Sequence, residues 1–384
     1  MSNLLIVTGG APTTVINNSL VGALRQLKKS NFNGKIFAAR FGTTGVLKED
    51  FIDLTNITES QLSLLSNTPA TAIGTSRFPL ESEDYDKMAT ILNKHDIKYV
   101  LFNGGNGTMD TCGKLYKIVK DSGVCCVGIP KTIDNDIAES DHTPGFASCA
   151  RYIACSVKET MQDVKSLPIH VCVIETMGRN VGWLTASSAI AGNNGGEMPD
   201  MILCPEIAFD QDAFLTKAED LFRKKGGVTV VASEGLKDKN GKQVVKPIFT
   251  VGRATYFGDV SSFLANLVIE KLGIKARSEK PGIFQRCSMQ YASAVDIKEA
   301  QLVGEEAVKA VLNNLGGIMI GIERVSTKPY VIKTTLVPIE KVMLTEKSLP
   351  ENFLTKEKDN VTKEYIEWLA PLVGEMPEFI SFLD

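Results

Sequence analysis

Two short segments of this chain combine residue types that do chemistry. The segment PKTIDND, residues 130–136, holds a lysine, a threonine and two aspartates, and the segment GGNGT, residues 104–108, is rich in glycine. Glycines let backbone amides close on a phosphate, and a helix N-terminus attracts the same negative charge. Two neighbouring carboxylates either raise the pKa of one of them or face a cation such as Mg2+. Together the segments predict a phosphoryl-transfer site.

Each candidate also has a simpler interpretation. A Gly-rich connection between a strand and a helix is a weak signal alone, and two aspartates can form an Asx-turn with solvated carboxylates. Arg179 and Glu234 follow other apolar runs, and Arg77 stands two residues before a proline. An arginine can bind phosphate bidentately and a glutamate can accept from substrate hydroxyls. Surface positions for the arginines and a turn cap for Glu234 remain the alternatives.

Apolar runs that alternate with amphipathic stretches predict the elements that hold these residues. The predicted strands are 4–8, 35–39, 99–102, 125–129, 171–174, 228–232 and 318–322, and the predicted helices include 109–121, 146–164 and 211–224. This alternation predicts parallel sheets with helices on both faces. Ligands of such sheets bind beyond the carboxyl ends of the strands, which makes candidates of the loops at 9–13, 104–108, 130–136 and 175–179.

Length and composition narrow the class of protein. At 384 residues and 43% hydrophobic, the chain is long enough for two packed lobes. The net charge of -3, with both signs mixed along the chain, predicts no nucleic-acid or membrane partner. With no secretion signal and no run of about 18 apolar residues, we expect a cytoplasmic protein. The scattered cysteines predict buried reduced thiols, and the histidines show no zinc-ligand spacing.

The motifs, taken in order, carry a resemblance that covers essentially the full chain. They are GGAPT, GTSRFP, GGNGTMDT, PKTIDNDI, ETMGRNVGW, SEG and GIFQRC, and they resemble the 6-phosphofructokinase family, in particular its longer, pyrophosphate-type forms. The resemblance implies an α/β fold of two doubly wound, Rossmann-like lobes with mainly parallel sheets and the active site in the cleft between them. It also implies discontinuous domains. The phosphoryl-donor-binding lobe would be 1–145 plus 286–338, and the fructose-6-phosphate-binding lobe 146–285 plus 339–384.

The resemblance also implies residue roles. Asp134 matches the base that deprotonates the 1-hydroxyl of fructose 6-phosphate, and Arg277 and Arg286 match the 6-phosphate site. The implied catalytic residues are Asp134, Thr132, Asp136, Lys131 and Arg179. The implied substrate-binding residues are Thr132, Asp134, Met177, Gly178, Arg179, Glu234, Arg277, Ile283 and Arg286. The implied donor-binding residues are Gly10, Arg77, Gly105, Asn106, Gly107 and Thr108, and the implied cofactor is Mg2+, bound at Asn106.

Three positions depart from the common family pattern. Asn106 stands where many members have a Mg2+-binding aspartate, and a neutral amide oxygen binds the cation more weakly. Ile283 stands in place of a frequent histidine, and His170 in place of a 6-phosphate arginine. The longer forms commonly carry the asparagine, so it does not imply inactivity. The apolar Ile283 leaves the details of 6-phosphate contact open.

Two residues give opposite indications about the phosphoryl donor. Lys131 is the type expected in pyrophosphate users, where its ammonium neutralises the leaving phosphate, and Gly107 is the type expected in ATP users. Pyrophosphate enzymes usually have an aspartate at the position of Gly107. Its carboxylate repels the α-phosphate of ATP and occupies the space that this phosphate needs. The lack of a repelling aspartate at Gly107 should outweigh the presence of Lys131, so the sequence favours ATP, with pyrophosphate as the alternative.

The resulting prediction is a glycolytic 6-phosphofructokinase with fructose 6-phosphate and ATP or pyrophosphate as substrates. By resemblance we expect a homo-oligomer, dimer or tetramer. One rival is the diacylglycerol- or NAD-kinase-like class, which shares a Gly-rich turn but does not explain the PKTIDND and MGR segments together. A second rival is a catalytically silent sugar-phosphate sensor, suggested by Asn106 and Ile283 and opposed by the intact Asp134, Thr132 and Arg179.

Overall fold

A computed structural model describes residues 2–251 and 254–383. The strands are β1 (Asn3–Thr8), β2 (Ile36–Ala39), β3 (Phe51–Asp53), β4 (Ile97–Gly104), β5 (Cys125–Pro130), β6 (Val171–Thr176), β7 (Met201–Leu203), β8 (Val228–Ser233), β9 (Pro247–Val251), β10 (Ala254–Phe257), β11 (Ala276–Glu279), β12 (Ile318–Ser326) and β13 (Val331–Pro338). The helices are α1 (Ile16–Lys29), α2 (Thr43–Leu47), α3 (Glu59–Ser66), α4 (Ser82–Lys94), α5 (Asn106–Val119), α6 (Phe146–Ser166), α7 (Trp183–Ser187), α8 (Gln211–Lys225), α9 (Val260–Leu272), α10 (Phe284–Cys287), α11 (Ala294–Leu312) and α12 (Lys363–Val373).

The chain divides into two compact units, each made of two stretches of sequence. Unit 1 comprises residues 1–148 and 286–347, and unit 2 comprises residues 149–285 and 348–384. The sequence expectation placed the crossings at 145, 285 and 338. Residues beyond 338 stay with unit 1 because Ile339 and Val342 are buried in one of its hydrophobic clusters.

Unit 1 is built on a seven-stranded sheet in the order β13-β12-β5-β4-β1-β2-β3. The five inner strands run parallel, and the edge strands β3 and β13 pair antiparallel with their neighbours. From β1 the chain continues to β2 on one side and later to β4 on the other side. Such a reversal of strand order opens a crevice at the carboxyl ends of the two central strands.

Both faces of this sheet are apolar, which explains why helices cover both. Successive side chains of β1 point to opposite faces. Leu4 and Ile6 lie in one buried cluster with residues of α1 and α11, whereas Leu5 and Val7 lie in another with residues of α4 and α5. A strand buried on two sides needs apolar residues at every position, and this produces the continuous run seen in the sequence.

Unit 2 contains a four-stranded parallel sheet in the order β11-β6-β8-β7 and a separate antiparallel pair, β9 and β10. Strands β6 and β8 are buried at every position. Helix α8 begins where the side chain of Asp210 accepts from the backbone N–H groups of Asp212 and Ala213, both at 3.0 Å. It ends at Gly226, whose φ of 72° is a left-handed conformation that glycine adopts readily. The mixed α/β fold with mainly parallel sheets is therefore confirmed.

Two further sequence predictions concern the state of the cysteines and the presence of membrane-spanning helices. Seven cysteines are buried, Cys287 is partly buried, and none forms a disulfide. Burial raises the pKa of the Cys126 thiol well above its usual value. In the part of the chain that the structure describes, helices that combine the length and the apolar character needed to cross a bilayer are not found.

Asp296 of α11 holds the beginning of α6, and its removal should be costly. Its carboxylate is 1% exposed and accepts from the Gly145 N–H at 2.9 Å, the Ser148 N–H at 2.9 Å and the Ser148 hydroxyl at 2.5 Å. Because Asp296→Ala leaves buried donors without a partner, we expect a loss of about 3 kcal/mol in the free energy of unfolding, measured with urea. Asp86→Ala, on the exposed side of α4, is the control and should change stability by less than about 0.5 kcal/mol. Equal effects of the two substitutions would contradict this role for Asp296.

Candidate active site

The glycines after β1 and β4 bring the two central strand ends together. A Cβ atom added at Gly9 or Gly104 would overlap the hydroxyl of Thr108, so only glycine fits at both strand ends. Gly10 has a φ of 75°, the left-handed region that favours glycine. Helix α5 starts at Asn106, directly after the glycines at the end of β4. Its first backbone N–H groups and its positive end therefore lie in the crevice between β1 and β4.

The segment that carries Arg77 runs beside the first Gly-rich turn. The N–H of Gly10 donates to Ser76 O at 3.0 Å, and the Thr75 hydroxyl donates to Gly10 O at 2.8 Å. A cavity of about 260 Å³ opens here, lined by predicted donor-binding residues and their neighbours: Gly9, Gly10, Ser76, Arg77, Phe78, Gly105, Asn106, Gly107, Thr108 and Thr111. All six residues assigned to donor binding line this one cavity.

Lys131 is buried directly under the first Gly-rich turn. Its side chain is 2% exposed, and its Nζ donates to Gly9 O at 3.0 Å and to Ala11 O. Burial, with a further contribution from the positive charge of Arg77, lowers the pKa of Lys131 to about 7. Its ammonium is therefore a poorly solvated charge that an anion in the adjacent cavity would stabilise.

The loop after β5 holds Thr132 and Asp134 in a fixed backbone. The N–H of Thr132 donates to Pro144 O at 3.2 Å, and the Thr143 hydroxyl donates to Thr132 O at 3.1 Å. The N–H of Asp134 donates to the Thr132 hydroxyl oxygen at 3.1 Å. Asp134 also bears on Lys131, because its negative charge raises the pKa of that lysine and opposes the effect of burial.

Asp136 and Asn106 present two oxygens suited to a divalent cation. Asn106 Nδ2 donates to Asp136 Oδ2 at 2.9 Å, which turns the remaining oxygen of each side chain away from this bond. These two oxygens, Asn106 Oδ1 and Asp136 Oδ1, are buried and accept no hydrogen bond from the described residues. Burial raises the pKa of Asp136. Carboxylate and amide oxygens are ligands that Mg2+ prefers, so the residues fit this ion.

The protein alone does not complete a metal site. Among the residues that the structure describes, no group of three or more His, Cys, Asp or Glu side chains has the arrangement of a metal centre. Mg2+ usually keeps waters and is held by one or two carboxylates together with substrate phosphates. The Asn106–Asp136 pair would be the protein's share of such a site.

Gly107 faces open space. A Cβ atom added there would meet no heavy atom of the described chain within 4 Å. Gly107 is exposed in the first turn of α5 and lines the cavity described above. The space that an aspartate would occupy at this position is thus available to a ligand.

In unit 2, the turn after β6 is held by two neighbouring segments. Gly178 has a φ of 104°, and its carbonyl accepts from the Ser233 hydroxyl at 2.7 Å. The N–H of Met177 donates to Gln285 Oε1 at 3.0 Å. Arg179 is exposed, with its guanidinium 5.9 Å from the centre of the Phe257 ring. The turn thus presents a positive side chain from a backbone fixed on both sides.

Glu234 follows β8 beside this turn. Its N–H donates to Thr176 O at 2.9 Å. Burial raises the pKa of Glu234, and the nearby charge of Arg179 opposes that shift. The structure therefore brings Met177, Gly178, Arg179 and Glu234, four of the implied substrate-binding residues, together in unit 2.

The remaining predicted substrate-binding residues are divided between two places. Arg277 lies on β11 and lines a cleft of about 470 Å³ in unit 2 together with His170. Burial lowers the pKa of His170, and the charge of Arg277 acts in the same direction. Ile283 is 60% exposed and is not one of the described residues that line this cleft. Arg286 belongs to unit 1, where its charge contributes to the lowered pKa of Lys131.

Three residues at these sites were not predicted from the sequence. Gln285 holds Met177, Glu346 lies beside Asp136 and raises its pKa, and Lys347 contacts the loop at 135–141. Gln285 lies next to Arg286, which was assigned to the 6-phosphate site, but no role was predicted for the uncharged Gln285 side chain. Glu346 and Lys347 lie in a stretch with no motif, and only their tertiary contacts show their position.

These features place the chain among phosphotransferases built on doubly wound α/β sheets. The family model for phosphofructokinase matches residues 3–311. The chain belongs to the phosphofructokinase family.

Individual relatives bear on the phosphoryl donor. A pyrophosphate–fructose 6-phosphate 1-phosphotransferase of Xanthomonas campestris is 38% identical over 98% of this chain and 92% of its own length. The crystal structure of a pyrophosphate-dependent phosphofructokinase from Nitrosospira multiformis superposes with a TM-score of 0.89 at 34% identity, covering 99% of this chain and 94% of that one. An ATP-dependent 6-phosphofructokinase of Aliivibrio fischeri is 26% identical over 83% of this chain and 88% of its own length. These comparisons favour the pyrophosphate alternative over ATP, the donor expected from Gly107.

Proposed function

We propose that this protein transfers a phosphoryl group from pyrophosphate to the 1-hydroxyl of fructose 6-phosphate. The observation that carries the proposal is Lys131, a buried cation bonded to the backbone of the first Gly-rich turn and adjacent to the donor cavity. The preference for ATP rested on the open space at Gly107. Open space permits a nucleotide but supplies no binding energy, whereas a poorly solvated ammonium attracts a compact polyanion.

The family resemblance and the positions of the side chains in unit 1 support the proposed chemistry. Asp134 accepts the proton of the attacking hydroxyl, and Lys131 neutralises charge on the departing phosphate. The N-terminal amides of α5 and the guanidinium of Arg77 bind the donor phosphates. Asn106 Oδ1 and Asp136 Oδ1 would hold Mg2+, which when bound neutralises charge on the transferring group. Thr132 fixes the backbone of Asp134 by accepting its N–H.

The proposed sugar-binding groups lie in unit 2. Glu234 would accept from sugar hydroxyls, and Arg179 with the turn at Met177 and Gly178 would bind the phosphorylated sugar. Arg277 and Arg286 remain the proposed 6-phosphate cations. The assignment of donor binding to one lobe and sugar binding to the other, a homo-oligomeric state and a cytoplasmic location stay predictions of the family resemblance.

ATP is the second candidate donor, and one observation favours it. The open space beside Gly107 lies in a cavity whose lining includes the apolar residues Phe78 and Leu80, against which a nucleotide base could pack. The test is the initial rate with fructose 6-phosphate and Mg2+, measured in parallel with pyrophosphate and with ATP. A higher kcat/KM with pyrophosphate supports the proposal. A higher kcat/KM with ATP contradicts it, and binding of the sugar phosphate without turnover would indicate a sensor.

Donor binding should be accompanied by proton uptake. With a pKa lowered to about 7, Lys131 is largely neutral at pH 8.5, and an adjacent polyanion favours its charged form. Pyrophosphate binding should therefore take up close to one proton at this pH and weaken as the pH rises above 7. Calorimetry in buffers of different ionisation enthalpy measures the uptake. Lys131→Met is the control for protonation of pyrophosphate itself, and the same uptake in that variant would contradict the prediction.

A further inference from the structure

The two aspartates of the PKTIDND segment are separated by a residue in an uncommon conformation. Asn135 has a φ of 57°, in the left-handed region, and its side chain is fully buried. This conformation sets the directions of Asp134 and Asp136, because each is bonded directly to it. Asparagine adopts this conformation more readily than most residues other than glycine, and at a fully buried position the surrounding contacts fix it. The contacts made by Asn135 therefore determine the spacing of the two carboxylates.

The hydrogen bond to the Asn135 side chain comes from Lys347, which lies 212 residues further along the chain. Its Nζ donates to Asn135 Oδ1 at 3.3 Å, to Ser140 O at 2.7 Å and to Asp141 O at 2.9 Å. Its backbone N–H donates to Asp136 O at 2.8 Å, and Glu346 forms an antiparallel bridge with Ile137. One residue thus bonds the loop on both sides of its second aspartate.

The far end of this loop is anchored to the sheet of unit 1. The Asp141 carboxylate accepts from Arg324 of β12 at 3.0 and 3.2 Å and lies 2.8 Å from His142 Nδ1. The opposite ring nitrogen of His142 lies 2.5 Å from Glu299 of α11. With its end fixed to β12 and α11, the loop offers Lys347 a rigid pair of carbonyl groups. Because Lys347 Nζ is bonded to these carbonyl groups, its own position is fixed, and it in turn fixes the Asn135 side chain.

We propose that Lys347 is a positioning residue for phosphoryl transfer, which holds Asn135 so that Asp134 and Asp136 keep the separation and direction required for proton removal and cation binding. The proposal rests on the proposed function for its kinetic consequence. Lys347 acts on the two carboxylates through its bonds to Asn135, Ser140, Asp141 and the backbone of Asp136. A misplacement of about 1 Å at a reacting centre costs about 100-fold in rate.

The first test is the kinetics of Lys347→Met, with Lys341→Met, an exposed lysine of the same segment, as the matched control. We expect kcat to fall about 10- to 100-fold in Lys347→Met while KM for fructose 6-phosphate changes less than about threefold. The control should retain its full rate. An unchanged kcat at a temperature where the variant is folded would overturn the proposal, as would a loss confined to KM.

A second variant separates positioning from general stability. Asn135→Gly keeps a backbone that tolerates positive φ but removes the amide that Lys347 contacts. If Lys347 acts through Asn135, the double variant should be no slower than Lys347→Met alone, because the two changes remove one interaction. Losses of rate that multiply in the double variant would show that Lys347 acts independently of Asn135, contrary to the proposal. If Lys347→Met does not fold, the kinetics of Asn135→Gly alone test the same contact, and an unchanged kcat would contradict the proposal.

A third measurement does not depend on turnover. Hydrogen exchange of the peptide 133–142 should be faster in Lys347→Met than in the natural protein, and unchanged in Lys341→Met. If the natural protein turns over neither donor, the proposed function fails, while this exchange still reports whether Lys347 holds the loop. Unchanged exchange in Lys347→Met would overturn the positioning role even in an active enzyme.

Discussion

Asp134→Asn should lower kcat by about 100- to 10,000-fold while leaving the binding of fructose 6-phosphate nearly unchanged. This range is the usual contribution of a general base, and the amide that replaces the carboxylate cannot accept the proton of the attacking hydroxyl. The substitution keeps the shape of the side chain and the backbone bond from the Asp134 N–H to Thr132. The expected loss is therefore chemical rather than structural. Initial rates, together with calorimetric titration of the sugar phosphate, measure both quantities.

Glu139→Gln is the matched control for this prediction. Glu139 is an exposed carboxylate on the same loop, so its neutralisation should change kcat less than about twofold. If Asp134→Asn retained the natural rate, another group would have to be the base. If it lost sugar-phosphate binding to the same extent as turnover, Asp134 would be a binding residue only.

Lys131→Met should lower kcat with pyrophosphate by about 100- to 1,000-fold, the usual cost of removing one charge-stabilising group from a reaction centre. Methionine fills much of the same buried volume but carries no charge. The departing phosphate would then lose the cation that lies against the Gly9 and Ala11 carbonyls. Initial rates with pyrophosphate measure the effect, and thermal unfolding shows whether the buried site is intact.

Gly107→Asp supplies the contrasting variant at the same cavity. The added carboxylate has room, since its Cβ meets no described heavy atom within 4 Å, and it would occupy space that a nucleotide needs. Turnover with pyrophosphate should persist, whereas any turnover with ATP should disappear. If Lys131→Met left pyrophosphate turnover unchanged, the lysine would be a structural support for the Gly-rich turn. If Gly107→Asp abolished pyrophosphate turnover, the compact donor would extend across the space at Gly107.

Much of the local structure followed from the sequence because its signals are local. The alternating apolar runs predicted the inner strands of both sheets, as Leu4–Thr8 and Val228–Ala232 illustrate. The edge strands β3 and β13 were not predicted, because their exposed faces interrupt the apolar pattern. The predicted helix at 109–121 begins at Asn106 in the structure, since a helix starting at a Gly-rich turn has no apolar residue in its first positions.

The sequence by itself determined which residue types meet at the strand ends. Gly9, Gly104 and the PKTIDND segment each come at the carboxyl end of a predicted strand, and parallel strands present their carboxyl ends on one edge. A motif that follows a predicted parallel strand can therefore be assigned to the ligand-binding edge of the sheet without a structure. The family resemblance rests on the same local motifs, which is why it was recognisable from the chain alone.

Only the tertiary structure decided how those residues are held. Packing between distant segments puts Lys131 under Gly9 and Ala11 and brings Lys347 to Asn135. It also leaves one buried oxygen each of Asn106 and Asp136 without a hydrogen bond from the described residues. A periodic pattern carries information about the few residues around it, whereas the approach of residues far apart in sequence depends on how the whole core closes. The shifted pKa of Lys131 has the same origin, because burial is a property of the folded chain and not of the residue type.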